Sequence, residues 1–270
     1  MTVDTTVSRS PWARVKGIWA ARKVLALLIR RDLKVKYASS ALGYVWAVLD
    51  PLLMAGVYWF VFTQIFQRLD VGAEPYIVFL VAGLLPWQWF TGAVNTSGRA
   101  LNASAKLIRA QNLPREIWVL RPVLAGAVSY VFALPVLALF VVVYGAGVTW
   151  YVLLMPVAML VMIVLLTGIG LLLAPLIVLI KDLDPIVNVV VRLLFYASPI
   201  IYSHRDLPPG YEWASVANPL NGILGMFRAA FFPDQLQVSG ALTATAISFG
   251  FLAVGWLVFA RLERTVLKEI

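Results

Sequence analysis

Four residues spaced four apart, Asp184, Asn188, Arg192 and Tyr196, stand in an apolar stretch. At helical periodicity they share one face. A charged side chain at the centre of a membrane-spanning helix costs about 2.5–3.5 kcal/mol, and less near an end. Arg192 is therefore expected to face a partner, a bundle interior or a wet path. The alternative is a position near the interface from which it snorkels. A second pattern is aromatic. Tyr58, Phe62 and Phe66 form an i, i+4, i+8 stripe. Aromatic faces suit the apolar C–H surfaces of sugar rings, and a stripe along a path would let a polymer slide past without tight binding. The same spacing also serves core packing.

Bond-making chemistry finds little support. The chain has no cysteine and one histidine, His204. Disulfides, thiolate sites and a cysteine nucleophile are excluded, and a histidine metal site is improbable. There is no G-x-x-x-x-G-K-[ST] phosphate loop, no H-E-x-x-H and no nucleophile elbow. The acids Asp70, Glu74, Asp206, Glu212 and Asp234 are scattered around turns.

The elements that position these residues follow from hydropathy. Of 270 residues 61% are hydrophobic and only 13% charged, with a mean hydropathy of +0.87. A soluble domain of this size needs more polar surface. Continuous rather than alternating apolar runs argue for helices over a β-barrel. Uncharged runs predict spans at 51–67, 75–98, two within 122–180 with a turn at Gly145-Ala146-Gly147, a weaker one at 185–204, and a last at 235–260. The expected fold is an all-α membrane protein with six transmembrane helices. Of the 22 Lys and Arg residues, 19 fall on the side that would hold both termini. By the positive-inside rule that side is cytoplasmic. This accounts for the net charge of +9 without nucleic acid. Nine basic residues in 1–36, with no long uncharged core, speak against a cleavable signal peptide.

Three further segments stand out. Residues 1–46 are expected to form a cytoplasmic arm before a transmembrane domain at 47–262 and a tail at 263–270. Within the arm, Lys23, Arg30, Arg31 and Lys34 fall on one helical arc and Leu25, Ile29 and Leu33 on another, with Lys36 misplaced among the latter. Such an amphipathic helix would lie at the cytoplasmic interface, its basic arc on lipid phosphates or a partner. The loop 99–121 carries Arg99, Lys106, Arg109, Arg115 and Glu116, with Pro114 as a helix break. The Pro- and Gly-rich segment 204–234 holds an apolar stretch, Trp213 to Phe227, that is too short to span and reads as interfacial or re-entrant helices. Asp50-Pro51, Asp184-Pro185 and Asn218-Pro219 are expected to start helices, the acid or amide capping and the proline at the first turn.

The order of certain motifs resembles the permease subunits of ABC-2-type polysaccharide exporters, which serve O-antigen, capsular polysaccharide, wall teichoic acid and galactan export. The motifs are Arg31-Asp32-Leu33-Lys34-Val35-Lys36-Tyr37 followed by Gly43-Tyr44-Val45-Trp46 and Asp50-Pro51-Leu52; Leu113-Pro114-Arg115-Glu116; Lys181-Asp182-Leu183-Asp184 leading to Ser198-Pro199-Ile200-Ile201-Tyr202; and Asn218-Pro219-Leu220 with Arg228. The resemblance implies a homodimer with a channel at its interface and two separate ATPase subunits that hold ATP and Mg; no cofactor is expected on this chain. It implies a lipid-linked polymer as substrate, in the cytoplasmic membrane of a bacterium. Under it, Tyr58, Phe62, Phe66, Asn188, Arg192 and Tyr196 would line the channel. Arg30, Arg31, Lys34, Lys106, Arg109, Pro114, Arg115 and Glu116 would couple to the ATPase. Tyr202, Asn218, Pro219 and Arg228 would belong to an outer gate. The competing expectations are a permease for a small drug or lipid, a membrane-embedded glycosyltransferase with a carboxylate or basic cluster at one face, and a structural scaffold.

Overall fold

The computed structural model describes residues 11–38, 45–65, 73–111, 113–207, 210 and 212–269, and these are helical with irregular links. An arm of two helices, α1 (Pro11–Ala20) and α2 (Arg22–Ala38), leads to α3 (Trp46–Trp59), which continues as a wider π-helical turn over Phe60–Ile65. Then come α4 (Tyr76–Gly98), the short α5 (Ala100–Ala103) and α6 (Ala105–Ala110), and α7 (Glu116–Val143). A 3-10 turn at Trp150–Leu153 opens α8 (Leu154–Leu179). The chain closes with α9 (Leu183–Ala197), α10 (Glu212–Ala217), α11 (Pro219–Arg228) and α12 (Val238–Glu269).

Among the described residues four helices are long and apolar enough to cross a membrane: α4, α7, α8 with its leading turn, and α12. They fall where hydropathy put the second, third, fourth and last spans. The turn between α7 and α8 lies at Tyr144-Gly145, where Gly145 has φ +66°, a left-handed conformation that suits glycine. The run predicted as a fifth span forms a helix of only 15 residues, about 22 Å long. α12 runs unbroken through the expected boundary at 262.

Two of the three Asx-Pro pairs do not start helices. Asp50 and Asp184 lie inside α3 and α9, whose first residues are Trp46 and Leu183, and neither helix has a side-chain cap. Pro185, the third residue of α9, lies in the first turn, where amides have no intrahelical acceptor, whereas Pro51 is the sixth residue of α3 and lies beyond it. Only Asn218 caps, accepting from the Leu220 amide at 3.0 Å.

α4 is the centre of the bundle. From Tyr76 to Phe90 every residue but Gln88 is buried, beneath α3, α7, α8, α9 and α11. Water cannot drive helices together inside lipid, so close van der Waals packing must hold them. One very close crossing joins α8 and α12. A Cβ on Gly255 would lie 2.1 Å from the carbonyl oxygen of Gly168, and one on Gly168 would lie 2.4 Å from the amide of Leu252. The two backbones touch because neither side has a side chain there.

Gly255→Ala should therefore force the helices apart, at about 1–3 kcal/mol. Gly250 on the same helix has nothing within 4 Å of its ideal Cβ, so Gly250→Ala keeps the contact and gains up to about 1 kcal/mol of helix propensity. Thermal unfolding in detergent should rank Gly250→Ala at or above the wild type and Gly255→Ala below it. Equal midpoints would remove the glycine crossing as a determinant of stability.

Candidate functional site

The functional side chains gather at the two ends of the bundle and along one side. One end, the near end, holds the arm and the last turns of α12. The far end holds the link between α9 and α11.

The far end is built around a stretch of irregular backbone, Ala197–Tyr202, with Ser198, Pro199 and Ile200 buried. Its carbonyls are taken up one after another. The Tyr202 hydroxyl donates to Tyr196 O at 3.1 Å. The Asn218 amide donates to Ala197 O at 3.2 Å and to the Ser198 hydroxyl at 2.9 Å. The Ile200 amide donates to Ser198 O at 2.8 Å. Arg228 donates to Pro199 O and, at 2.6 Å, to Ile200 O. The Tyr76 hydroxyl donates to Ile201 O at 3.0 Å. Unpaired backbone groups in a dry interior cost several kcal/mol each, so irregular backbone survives there only when protein groups satisfy it.

Arg228 is the hub. It is 2% exposed and sits at the end of α11. Its Nε also donates to Phe79 O at 3.2 Å, and its guanidinium carbon lies 3.5 Å from the centroid of the Phe79 ring. No carboxylate pairs with it among the described ion pairs. Carbonyl dipoles and an aromatic face carry the charge instead. Gly83 makes the room: a Cβ there would stand 2.3 Å from Nη2. The four residues assigned to an outer gate thus share one construction. Asn218 and Pro219 start α11, Arg228 ends it, and Tyr202 closes the loop that α11 supports.

The near end is an ion cluster. Arg14 on α1 reaches Glu116 and Glu263, each at 2.8 Å, and Arg115 also binds Glu263. Glu116 is 3% and Glu263 6% exposed. Burial alone would lower the pKa of Arg14. The hydrogen bond that Arg14 donates to Glu116 and the charges of Glu263 and Glu116 more than offset it, so the group is held charged above its usual range. Beside this cluster, Arg121 pairs with Asp32 of α2 at 2.7 Å, and its guanidinium lies 5.6 Å from the Trp118 ring. Ala21, Leu25 and Ile117 pack together underneath.

The residues expected to couple to a partner divide accordingly. Arg30, Arg31, Lys34, Lys106 and Arg109 are exposed. Leu25 and Leu33 turn inward on the opposite arc of α2, as its periodicity predicts. Pro114 breaks the chain before α7 as expected. Arg115 and Glu116, by contrast, spend their charges inside the chain, on Glu263 and Arg14. Arg14, Glu263 and Tyr76 were not singled out from the sequence. Their partners lie 102, 249 and 125 residues away, and no local spacing reveals such pairs.

The side of the bundle belongs to α3 and α9. On α9, Asn188 donates back to Asp184 O at 2.8 Å, while the Asp184 carboxylate pairs with Arg99 at 2.6 Å. Arg192 and Tyr196 are exposed, next to exposed Ile186, Val189 and Leu193, and only Val191 of this helix is buried. Phe195 lies 5.8 Å from Tyr58 and 5.5 Å from Trp87, which joins α9 to α3 and α4. On α3, Leu53, Val57 and Phe60 are exposed. The side chain of Phe62, and Phe66 altogether, lie outside the described residues.

Four long apolar helices packed into one bundle, among the described residues, are the build of a multi-pass membrane protein. The family described as ABC-2 type transporter matches residues 23–232, and the chain belongs to it. The chain is 32% identical over 216 residues to an O-antigen export system permease protein RfbA of Klebsiella pneumoniae, covering 79% of this chain and 82% of the relative. It is 28% identical over 234 residues to the permease protein of that name in Myxococcus xanthus, covering 86% and 89%. The polysialic acid transport protein KpsM of Escherichia coli is 22% identical over 271 residues, covering 94% and 98%.

Two outcomes are expected from the ends. Arg228→Leu leaves at least two buried carbonyls without donors, at about 1–3 kcal/mol each; its folded yield in membranes should collapse, with Arg228→Lys intermediate. A wild-type yield for Arg228→Leu would show that the loop does not depend on this donor. At the near end, Glu263→Met removes the partner of Arg115 and one of the two partners of Arg14, for a loss of about 3 kcal/mol. Adding Arg14→Met should cost less than the two single losses combined, with a coupling of roughly 1–3 kcal/mol in thermal unfolding. Simple additivity would mean that the cluster does not act as a unit.

Proposed function

We propose that the chain is the membrane subunit of an ATP-driven exporter that moves a lipid-linked polysaccharide or a teichoic-acid-like polymer out across the cytoplasmic membrane of a bacterium. The observation that carries this reading is the near-full-length match to permeases named for O-antigen export and polysialic acid transport. In this reading α3 with its π-helical extension and α9 are the first and fifth of six spans, and both termini are cytoplasmic. The distribution of basic residues supports that orientation. Two copies would meet along α3 and α9, where Leu53, Val57, Ile186, Val189 and Leu193 are exposed. ATP and Mg would be handled by separate subunits docked on the exposed basic arc of α2 and on α6.

Export needs a path that a polymer can slide along. Tyr58, Tyr196 and Arg192 on the α3–α9 side supply aromatic faces and a cation that no acid neutralises among the described ion pairs. Asp184 does not neutralise Arg192, because Arg99 engages it. The far-end acid Asp206 accepts from the Ser203 amide at 2.8 Å in a capping box. That structural use weakens the expectation of a glycosyltransferase site at this face.

Depletion of the protein in its native cell, with radiolabelling of the surface polymer, tests the reading. Finished polymer should accumulate on the cytoplasmic side and disappear from the surface. Arg192→Ala should restore the protein to the membrane at normal levels but export severalfold less polymer than the wild type. Unchanged polymer distribution on depletion would overturn the export reading. Full export by Arg192→Ala would remove that residue from the path.

A further inference from the structure

The first helix of the arm has a face that neither the fold nor the proposed transport path uses. α1 carries Trp12, Val15, Lys16 and Trp19, all exposed, with Trp12 at 68% and Trp19 at 69%. At about 100° per residue these four fall within an arc of roughly 100°. The backbone stays helical through Ala21, whose amide donates to Gly17 O at 3.1 Å, while Leu25 donates to Ala21 O at 3.0 Å. Exposed Lys23 therefore continues the same arc. Arg22 lies beside it, its guanidinium 5.1 Å from the Trp19 ring and hydrogen-bonded to Trp19 O at 3.0 Å. No acid occurs anywhere in α1 or in the first turn of α2.

The opposite side of α1 is fixed. Arg14 points into the near-end ion cluster, and Gly17 faces Pro114, with an ideal Cβ 3.3 Å from the proline Cγ. Both anchors set the depth of the helix. Glu116 is the first residue of α7, six residues before its uncharged run begins at Pro122. Glu263 lies just past the last uncharged run, which ends at Ala260. Two spans thus independently place α1 at the level where hydrocarbon gives way to headgroups. Its outward face combines two indole rings with three basic side chains and no acid. Indoles partition to that level, and lysine and arginine there gain about 1 kcal/mol each from anionic lipid.

We infer that α1 is a lipid-seated anchor: Trp12 and Trp19 insert into the headgroup layer, and Lys16, Arg22 and Lys23 hold anionic phospholipid phosphates. The arm is then divided between two surfaces. α1 grips the bilayer, which leaves the basic arc of α2 for the partner subunit. The inference rests on the reading that the near end lies at a membrane surface.

The chain has no cysteine, so single cysteines can carry nitroxide labels without background. Trp12→Cys and Trp19→Cys are labelled in the full-length protein, reconstituted in nanodiscs of phosphatidylcholine with or without phosphatidylglycerol. Oxygen and nickel-chelate accessibilities are then compared. Lys106→Cys serves as the water reference, and Leu160→Cys, exposed on α8, as the lipid reference. The labels at 12 and 19 should shift from the Lys106 value toward the Leu160 value in phosphatidylglycerol discs. They should shift back when that lipid is left out or when Lys16→Glu is added. Nickel accessibility equal to that at Lys106 overturns the anchor. Protection that appears only after the ATPase subunit is added also overturns it, and makes the face a protein-docking surface. Equal depth in both lipid mixtures overturns the recognition of anionic phosphate. A Leu160 label that is itself open to nickel would instead overturn the membrane-spanning reading of α8.

Discussion

A backbone that enters a dry medium must bring its own hydrogen-bond partners, and the link Ala197–Tyr202 is where this chain meets that demand most severely. A helix solves the problem within itself. An irregular turn does not, so side chains from α4, from α11 and from the loop itself are drafted in: Tyr76, Arg228, Asn218 and Tyr202. This fixes much else. α11 must lie against α4 for Arg228 to reach both Phe79 O and Pro199 O. Gly83 must stay bare to admit the guanidinium. A single charged group without a carboxylate thereby ties three parts of the fold together, and it does so through neutral dipoles that need no counter-charge.

The near end solves a different problem by a different means. There the chain leaves the apolar region, and charge is abundant. Arg14, Glu116, Arg115 and Glu263 join the arm, the start of α7 and the end of α12. Buried ion pairs are weak sources of net stability, because desolvation offsets the attraction. Their value lies in specificity: an alternative packing would strand at least one charge. The cluster therefore holds the arm in a single place relative to two spans, which a greasy contact alone would not do.

Much of this was legible before the structure. Hydropathy located α4, α7, α8 and α12, because the apolar run a bilayer demands is long and unmistakable. The two arcs of α2 were legible for the same reason, since 3.6-residue periodicity is local. The start of α3 was not, because the helix begins at Trp46, five residues ahead of Pro51, so the Asp50-Pro51 pair does not mark it. The internal partners of Arg115 and Glu116 were not legible from sequence. Charged residues beside a helix break resemble a docking loop, and only the arrival of Arg14 and Glu263 from far along the chain shows their charges turned inward. The indole face of α1 was not legible because its apolar and basic residues share one arc instead of separating into two. Candidate residues on α3 and α9 were found on one side of the bundle, but a single chain leaves that side uncovered.

That uncovered side acquires meaning from how α9 is held. Along its middle only Val191 is buried, with Phe195 reaching Tyr58 and Trp87. Its far end is locked into the carbonyl network under Arg228. Its near end is held by the Arg99–Asp184 pair, in which the arginine is half exposed. An exposed pair of this kind is worth about 0–1 kcal/mol, whereas dismantling the far end would strand several buried groups at about 1–3 kcal/mol each. The two ends are therefore unequal by several kcal/mol. The helix that carries Arg192 and Tyr196 is thus held more strongly at the far end than at the near one, where the arm and α6 present their basic side chains.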